Sequence, residues 1–541
     1  MPEIYTVSSL EKVLLHKKPK TEKRGKMAKN ETYSFQLAYK YNRFANDIEV
    51  TIEGPLKDYI TYRQVEYVPC TSVNLWEGDG FYFSDKSFVC PDVLKPTIDG
   101  KLKSRACAYS SAWFTVKGNL PLGKHKIKIT LQAQWCDPLV AEYELEVLDF
   151  ELKESDLVYT NWFHYDAIAN YYKLPMFSSE YNEIMYDFIE KAIAHGVNML
   201  LIPMFTPPLD TRVGGERTTA QLIDVRVDNG KYSFDFDKLI SFMKKVESMG
   251  IKYFEMSHLF TQWGAKSAPK VVALVDGEQK RIFGWENGAT SPEYREFLGE
   301  LLPKLRQRLI DEGLYSLCRF HLSDEPNENC IEDYKKAHSV FRKGMPDAFI
   351  TDALSHYDFY KDGLVDVAVC STRAIDVFLE NKVENLFAYY CCAESGDYLS
   401  NRYMSYTSLR NRVLGVQLYL NKISGFLQWG YNFYNTTLSD EAIDPYMITD
   451  GGGAFQSGDA FIVYPGKNGA YDSIRHEVFY DGLQDMRLFY TLEEKIGREA
   501  VEALLHKYGY EKGFRTYPHD EKSLLAVRQE AQNILSLKSA K

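Results

Sequence analysis

Cys318-Arg319-Phe320-His321-Leu322-Ser323-Asp324-Glu325-Pro326 reads as a short buried strand that runs into two adjacent carboxylates. Pro326 cannot donate to a ladder, so the strand is expected to stop there. Asn327-Glu328-Asn329 and then Ile331 to Lys343 read as a helix with a polar, acidic first turn. Strand, acid pair and helix make a βα unit with both acids at the C-terminal end of a strand. In a parallel α/β barrel that end carries the chemistry. Asp, Ser and Asn near a helix start also serve as caps. The functional reading is preferred because these acids follow a strand, and because aromatic residues end several other expected strands.

Working outward, the same rhythm recurs on both sides of this unit. The other expected strands are 157–162, 197–203, 251–256, 348–352, 365–370, 385–391 and 425–431, each apolar and short. Helical spacing fills Tyr181 to Ala194, Phe236 to Met249, Pro292 to Asp311, Tyr403 to Leu420 and Tyr471 to Glu494. Gly196, Gly250 and Gly313 stand where helices stop. Eight strands alternating with helices predict a (β/α)8 TIM barrel over 153–500. A doubly wound sheet is disfavoured, because Gly451-Gly452-Gly453 has no strand before it and no helix after it.

Residues 1–152 read as an N-terminal β-sandwich. Tyr33 to Tyr39, Ile48 to Ile52, Ala112 to Val116, His125 to Leu131 and Glu142 to Val147 alternate with period two between turn signals. Asp92 and Asp137, each beside a proline, read as turn residues, and the Lys17-to-Lys29 cluster as a solvated loop. Residues 501–541 are expected to be a charged, helical extension packed on the barrel.

A net charge of −11 without a long basic run argues against a nucleic-acid partner. No stretch has the length and apolarity of a membrane span, and the first residues lack the pattern of a signal peptide, so a cytoplasmic protein is expected. The nine cysteines are odd in number and sit mostly in apolar strand contexts, which suggests reduced thiols. Cys391-Cys392 lacks a second pair at zinc-ligand spacing and the histidines do not cluster in sequence, so neither a metal nor another cofactor is expected. Aromatic residues at 14% lean toward carbohydrate, because flat rings stack on sugar faces.

A barrel would gather the strand ends at one face: Trp162, Trp263 and Trp285, His321 with Asp324 and Glu325, Tyr389 and Glu394, and Trp429, Tyr431 and Asn432. That set describes an aromatic-walled pocket with carboxylates, the composition of a glycosidase site. Adjacent acids on a strand face opposite ways, so a working pair must sit where the strand has broken down. Two close carboxylates then raise one another's pKa.

At this point the chain resembles glycoside hydrolase family 123. The likeness rests on Lys29-Asn30-Glu31 through Gln36, Pro91-Asp92-Val93-Leu94 and Trp113-Phe114-Thr115-Val116 in the first domain. In the second it rests on Ser323-Asp324-Glu325-Pro326, Tyr389-Tyr390-Cys391-Cys392 and Gln428-Trp429-Gly430-Tyr431-Asn432. Its most specific part is Gly458-Asp459-Ala460, Tyr464-Pro465-Gly466, Ser473-Ile474-Arg475-His476-Glu477 and Asp481-Gly482-Leu483-Gln484-Asp485. Tyr480 is a departure, since the family has Arg before the Asp-Gly. The resemblance implies a retaining β-N-acetylgalactosaminidase with an N-terminal β-sandwich and a (β/α)8 barrel, acting on terminal β-linked N-acetylgalactosamine, including that of glycosphingolipids. It implies substrate-assisted catalysis through an oxazolinium ion. Asp324 orients the acetamido group, and Glu325 protonates the leaving oxygen and later activates water. From their places at strand ends, Tyr389 is expected to hydrogen-bond the acetamido oxygen and Trp429 to wall the sugar, with Asn432, Trp162, Trp263 and His321 around them. Two rivals stand beside this: a two-carboxylate retaining β-glycosidase using Glu325 and Glu394, and a non-catalytic glycan-binding barrel.

Overall fold

The computed structural model describes residues 2–75 and 78–537. Two five-stranded sheets open the chain. One runs Glu3–Ser8, Tyr33–Lys40, Ser110–Val116, Ile60–Cys70, Phe88–Pro96; the other runs Arg24–Ala28, Leu139–Leu148, Gly123–Gln132, Ala45–Glu53, Leu102–Ser104. Phe35, Phe114, Ile129 and Tyr143 fill the space between them. The lysine-rich segment is only partly a loop. Arg24–Ala28 pairs in parallel with Leu139–Leu148, because Met27 and Ala28 turn inward while Arg24 stays in solvent.

Eight short parallel strands follow: Val158–Asn161, Met199–Ile202, Tyr253–Met256, Cys318–Phe320, Thr351–Leu354, Val367–Ser371, Phe387–Tyr390 and Gly425–Gln428. They do not make one continuous ladder. The first and the last four form a five-stranded sheet, and the second, third and fourth form a three-stranded one. Between the sheets lie an isolated parallel bridge from Phe320 to Ile350 and the Asn198 N–H bond to Tyr159 O at 3.0 Å. Insertions after the second and third strands, read only as loops and a long insertion, build a further sheet from Asp224–Asp228, Lys231–Asp235, Val271–Val275 and Glu278–Phe283.

The fourth strand is shorter than expected. His321 N–H still bonds Met256 O of the third strand at 3.2 Å, and the pairing stops there because the next backbone donors go to a side chain. Leu322 N–H and Ser323 N–H bond the Asp352 carboxylate at 3.1 and 3.3 Å. Past this break Glu325 takes a left-handed backbone, φ 42°, which is unusual for a non-glycine residue.

The helix Ile474–Ile496 lies between the sandwich and the parallel strands. Gly482 lets it approach the helix Leu414–Leu420 so closely that a Cβ at Gly415 would fall 1.7 Å from Gly482 O. Its first turn meets the sandwich through buried ion pairs. Asp92 is not a turn residue: it sits buried in Phe88–Pro96, pairs with Arg475 at 3.0 Å and accepts from Tyr464 at 2.6 Å. Arg63 holds Asp472 at 2.8 Å and Glu477 at 2.5 Å. The helices Arg498–Lys507 and Glu521–Ser536 close the described chain. From the latter, Arg528 reaches Glu31 in the sandwich and Asp485. No described helix is long and apolar enough to cross a membrane.

Candidate active site

The broken end of the fourth strand faces a cavity of about 120 Å³. Trp162, Trp263, Asp324, Glu325, Tyr389 and Trp429 line it, six of the residues singled out from the sequence. Tyr389 donates to Glu325 Oε1 at 2.7 Å. Trp263 is also held in a left-handed conformation, φ 60°, and its N–H donates to Asp324 O at 2.7 Å, which ties the aromatic lip to the acid pair. Burial, with the Glu325 carboxylate beside it, pushes the Asp324 carboxyl well above its ordinary range. Burial and Glu325 likewise hold the Tyr389 hydroxyl protonated.

Beneath the pocket lies a charged floor. His321 is here rather than on the wall. Its Nδ1 meets Asp352 Oδ1 at 2.9 Å and its Nε2 meets Glu255 Oε1 at 2.5 Å. Burial alone would lower this histidine, but Glu255 and Asp352 outweigh it and raise it to about 10. With a carboxylate at each ring nitrogen the group is an imidazolium donating both ways. Glu255 also accepts from Trp162 Nε1 at 2.9 Å and Thr160 Oγ1 at 2.6 Å, so one buried carboxylate orients the Trp162 ring.

Other expected residues lie elsewhere. Asn432 is buried and brackets the His164 backbone, accepting from its N–H at 2.8 Å and donating to its carbonyl at 3.1 Å. Tyr431 donates to Phe188 O in the core at 2.9 Å. Trp285 lines a separate small cleft with Pro207 and Pro208. Glu394 is 2% exposed and spent on structure, accepting from Ser371 Oγ and from Cys391 N–H at 2.7 Å.

The sequence reading missed several pocket groups. Asp210 lines the wall, with Oδ2 held by Leu438 N–H at 2.9 Å; burial raises it to about 6. Asp459 supports the opposite wall, accepting from Trp429 Nε1 at 3.1 Å, and burial raises it to about 7. Leu209, Gln262, Ala353, Leu427 and Phe455 complete the surface with Cys391 and Cys392. A lone Glu inside the apolar run 253–256 was a legible signal for Glu255. Asp210, between two prolines and an arginine, carried none.

The histidines do cluster in space, against the sequence expectation. His195 with Asp472 and His476, and His258 with His321 and Asp352, bring ligand-type atoms within 4.8 Å of one another. Neither set suits a cation well. Both ring nitrogens of His321 already face carboxylates, and the first group shares its one acid, Asp472, with Arg63. Two larger cavities lie away from the acid pair. One of about 580 Å³ lies beside Arg412 and Arg528, and one of about 520 Å³ lies beside Arg319 and Phe349.

Among solved structures, a family 123 glycoside hydrolase from Clostridium perfringens, studied for glycolipid glycan hydrolysis, superposes with a TM-score of 0.74. It is 13% identical, over 99% of this chain and 97% of that one, a likeness of fold. A Bacteroides ovatus family 5 xyloglucanase (TM-score 0.32, 9% identity, 85% and 98% coverage) and a Rhizomucor miehei family 5 mannosidase (0.34, 11%, 66% and 97%) score too low to carry an argument. No curated protein matches by sequence. The family described as "Glycoside hydrolase 123, catalytic domain" matches residues 162–492, a span that holds Trp162, Asp324, Glu325, Tyr389 and Trp429. The chain belongs to glycoside hydrolase family 123.

Proposed function

We propose that this chain removes terminal β-linked N-acetylgalactosamine from glycans, glycolipid glycans among them, by retaining, substrate-assisted catalysis. The observation that carries the reading is the side-by-side placement of Asp324 and Glu325 past a broken strand, in a cavity walled by Trp162, Trp263 and Trp429. In this reading residues 1–152 are a supporting sandwich, 153–500 a (β/α)8 catalytic barrel whose two sheets act as one, and 501–541 a helical extension; the protein is cytoplasmic.

The sugar's acetamido oxygen attacks the anomeric carbon and an oxazolinium ion forms. Asp324 accepts from the acetamido N–H and faces the positive charge that develops there. That hydrogen bond favours the carboxylate form of Asp324, so the one proton of the pair passes to Glu325. Glu325 gives it to the leaving oxygen and then takes a proton from the attacking water. Tyr389 is given a role different from the one expected of it. Its bond to Glu325 Oε1 suits it to aim the acid rather than to hold the acetamido group. Trp429, braced by Asp459, walls the sugar, and Asp210 accepts from ring hydroxyls at the rim. The two-carboxylate rival lacks a free second acid, because Glu394 faces Ser371 and the Cys391 amide.

Purified protein assayed on 4-nitrophenyl β-N-acetylgalactosaminide, its gluco epimer and the plain β-galactoside, with and without a thiazoline mimic of the oxazoline, tests this. Cleavage confined to acetamido sugars and blocked by the mimic is expected, with the galacto epimer faster. Turnover of the plain galactoside, unaffected by the mimic, would overturn it.

A further inference from the structure

One feature of the pocket wall has no part in glycoside cleavage. Cys391 and Cys392 both line the cavity and both are free thiols. Consecutive residues of a strand face opposite ways. Here the seventh strand ends at Tyr390, and a turn follows in which Glu394 N–H donates to Cys391 O at 3.3 Å. Asn401 and Tyr403 donate to the same carbonyl at 3.0 and 2.7 Å. The fixed turn leaves both cysteines lining one cavity, with Cys391 Sγ 3.9 Å from Glu325 Oε1.

We propose that Cys391 and Cys392 form a dithiol site that captures trivalent arsenicals, and that its occupation obstructs the pocket at Glu325. The ligand class follows from the donor set. Structural zinc takes four ligands, and this pair is not part of any group of three metal-ligating side chains among the described residues. Trivalent arsenic is three-coordinate and is satisfied by two sulfurs and one further substituent. The step balances without an oxidant. Two S–H bonds and both arsenic–oxygen bonds of a hydrated arsenoxide break, two As–S bonds form, two waters leave, and arsenic keeps its oxidation state. The protons depart with the waters, so no standing thiolate is needed. Alkylation and peroxide oxidation do need one. The neighbouring Cys392, burial and the nearby Glu394 push the Cys391 thiol well above its ordinary range, so those reactions are slowed here.

The full-length protein is treated with phenylarsine oxide under native conditions, and intact mass, free thiols and activity are read together. One adduct per chain is expected, with two thiols lost and turnover nearly abolished. Reversal is expected with 2,3-dimercaptopropanol but not with 2-mercaptoethanol at equal thiol concentration. Cys392→Ser, and separately Cys391→Ala, should each lose the adduct and the inhibition, every variant being compared with its own untreated activity. No adduct on the native protein, or an adduct that persists in both variants, overturns the site. An adduct that leaves turnover intact overturns the obstruction. If the protein cleaves none of the three glycosides, mass and thiol count still decide capture, so this inference and the glycosidase reading fail separately.

Discussion

Two sets of acids in this molecule sit in opposite electrostatic settings. At the pocket, Asp324, Asp210 and Asp459 have no ion-pair partner among the described residues, and burial drives all three upward. Where the sandwich meets the helix Ile474–Ile496, the acids are all buried, yet each has a cation. Asp92 has Arg475, Asp485 has Arg412 and Arg528, and Asp472 and Glu477 share Arg63. Burial would raise Glu477, but Arg63 and His195 bring it down to about 2. Desolvation is common to both settings; at Glu477 the nearby cations outweigh it, whereas at Asp481, paired with Arg412 at 3.2 Å, burial still wins and raises the acid to about 7.

The largest expected consequence is at the pocket. Asp324→Asn should cut turnover about 10³-fold or more while leaving the melting temperature nearly unchanged, because no described partner loses a bond. A variant at near-native rates would remove Asp324 from the chemistry. Glu325→Gln should cost natural glycans more than aryl glycosides with good leaving groups, which need less protonation; equal losses on both substrates would remove it as the acid.

At the interface the signs reverse. Arg475→Met leaves Asp92 buried and unpaired, so it should lose about 3–5 kcal/mol in urea unfolding while activity per folded molecule survives. Adding Asp92→Asn should restore part of that loss. A double variant no more stable than the single one would mean that the pair is not the source.

The pH dependence of stability should separate the two sets. The folded state binds Glu477's proton more weakly than the unfolded chain does. Its contribution is therefore full above about 4.5 and is lost as pH falls toward about 2. Asp459 is the reverse. Held at about 7 against an ordinary 3.8, it favours the folded state at low pH and loses that advantage as pH rises through 7. In urea midpoints measured across pH, Glu477→Gln should flatten the acid limb and Asp459→Asn the neutral limb. The same limb flattened by both would contradict the division.

The smallest effect is assigned to Asp210→Asn. It should raise KM about tenfold with little change in kcat, as expected for an acid that binds the sugar in ground and transition state alike. A fall in kcat alone would move Asp210 into the proton transfers.

The parallel strands were legible because each is a short apolar run and Gly196, Gly250 and Gly313 punctuate the helices between them. The acid pair was legible because Pro326 marks the end of a strand. What escaped depended on distant partners. Asp92 beside Pro91 carries the local signature of a turn, and only Arg475, 383 residues away, makes it a buried ion pair. Asn432 and Tyr431 sit at the end of the eighth strand as expected, but side-chain direction there is set by His164 and Phe188, which the sequence around them does not announce. The motif from Ser473 to Asp485 stood out as the family's most specific stretch. Its Arg475, Glu477 and Gly482 serve docking and close packing rather than the pocket.

The Asp92–Arg475 pair also bears on how the protein is made. Synthesis runs from the N-terminus, and domains tend to fold as they emerge. The sandwich strand carrying Asp92 therefore leaves the ribosome hundreds of residues before Arg475 exists, with a carboxylate placed for a partner not yet translated. Until the helix Ile474–Ile496 arrives, that face must stay wet or be shielded. This contact of the sandwich forms only when the catalytic half is nearly complete, and the Arg528–Glu31 pair forms later still, so a nascent chain cut short before residue 475 should present an unfinished surface open to chaperone binding.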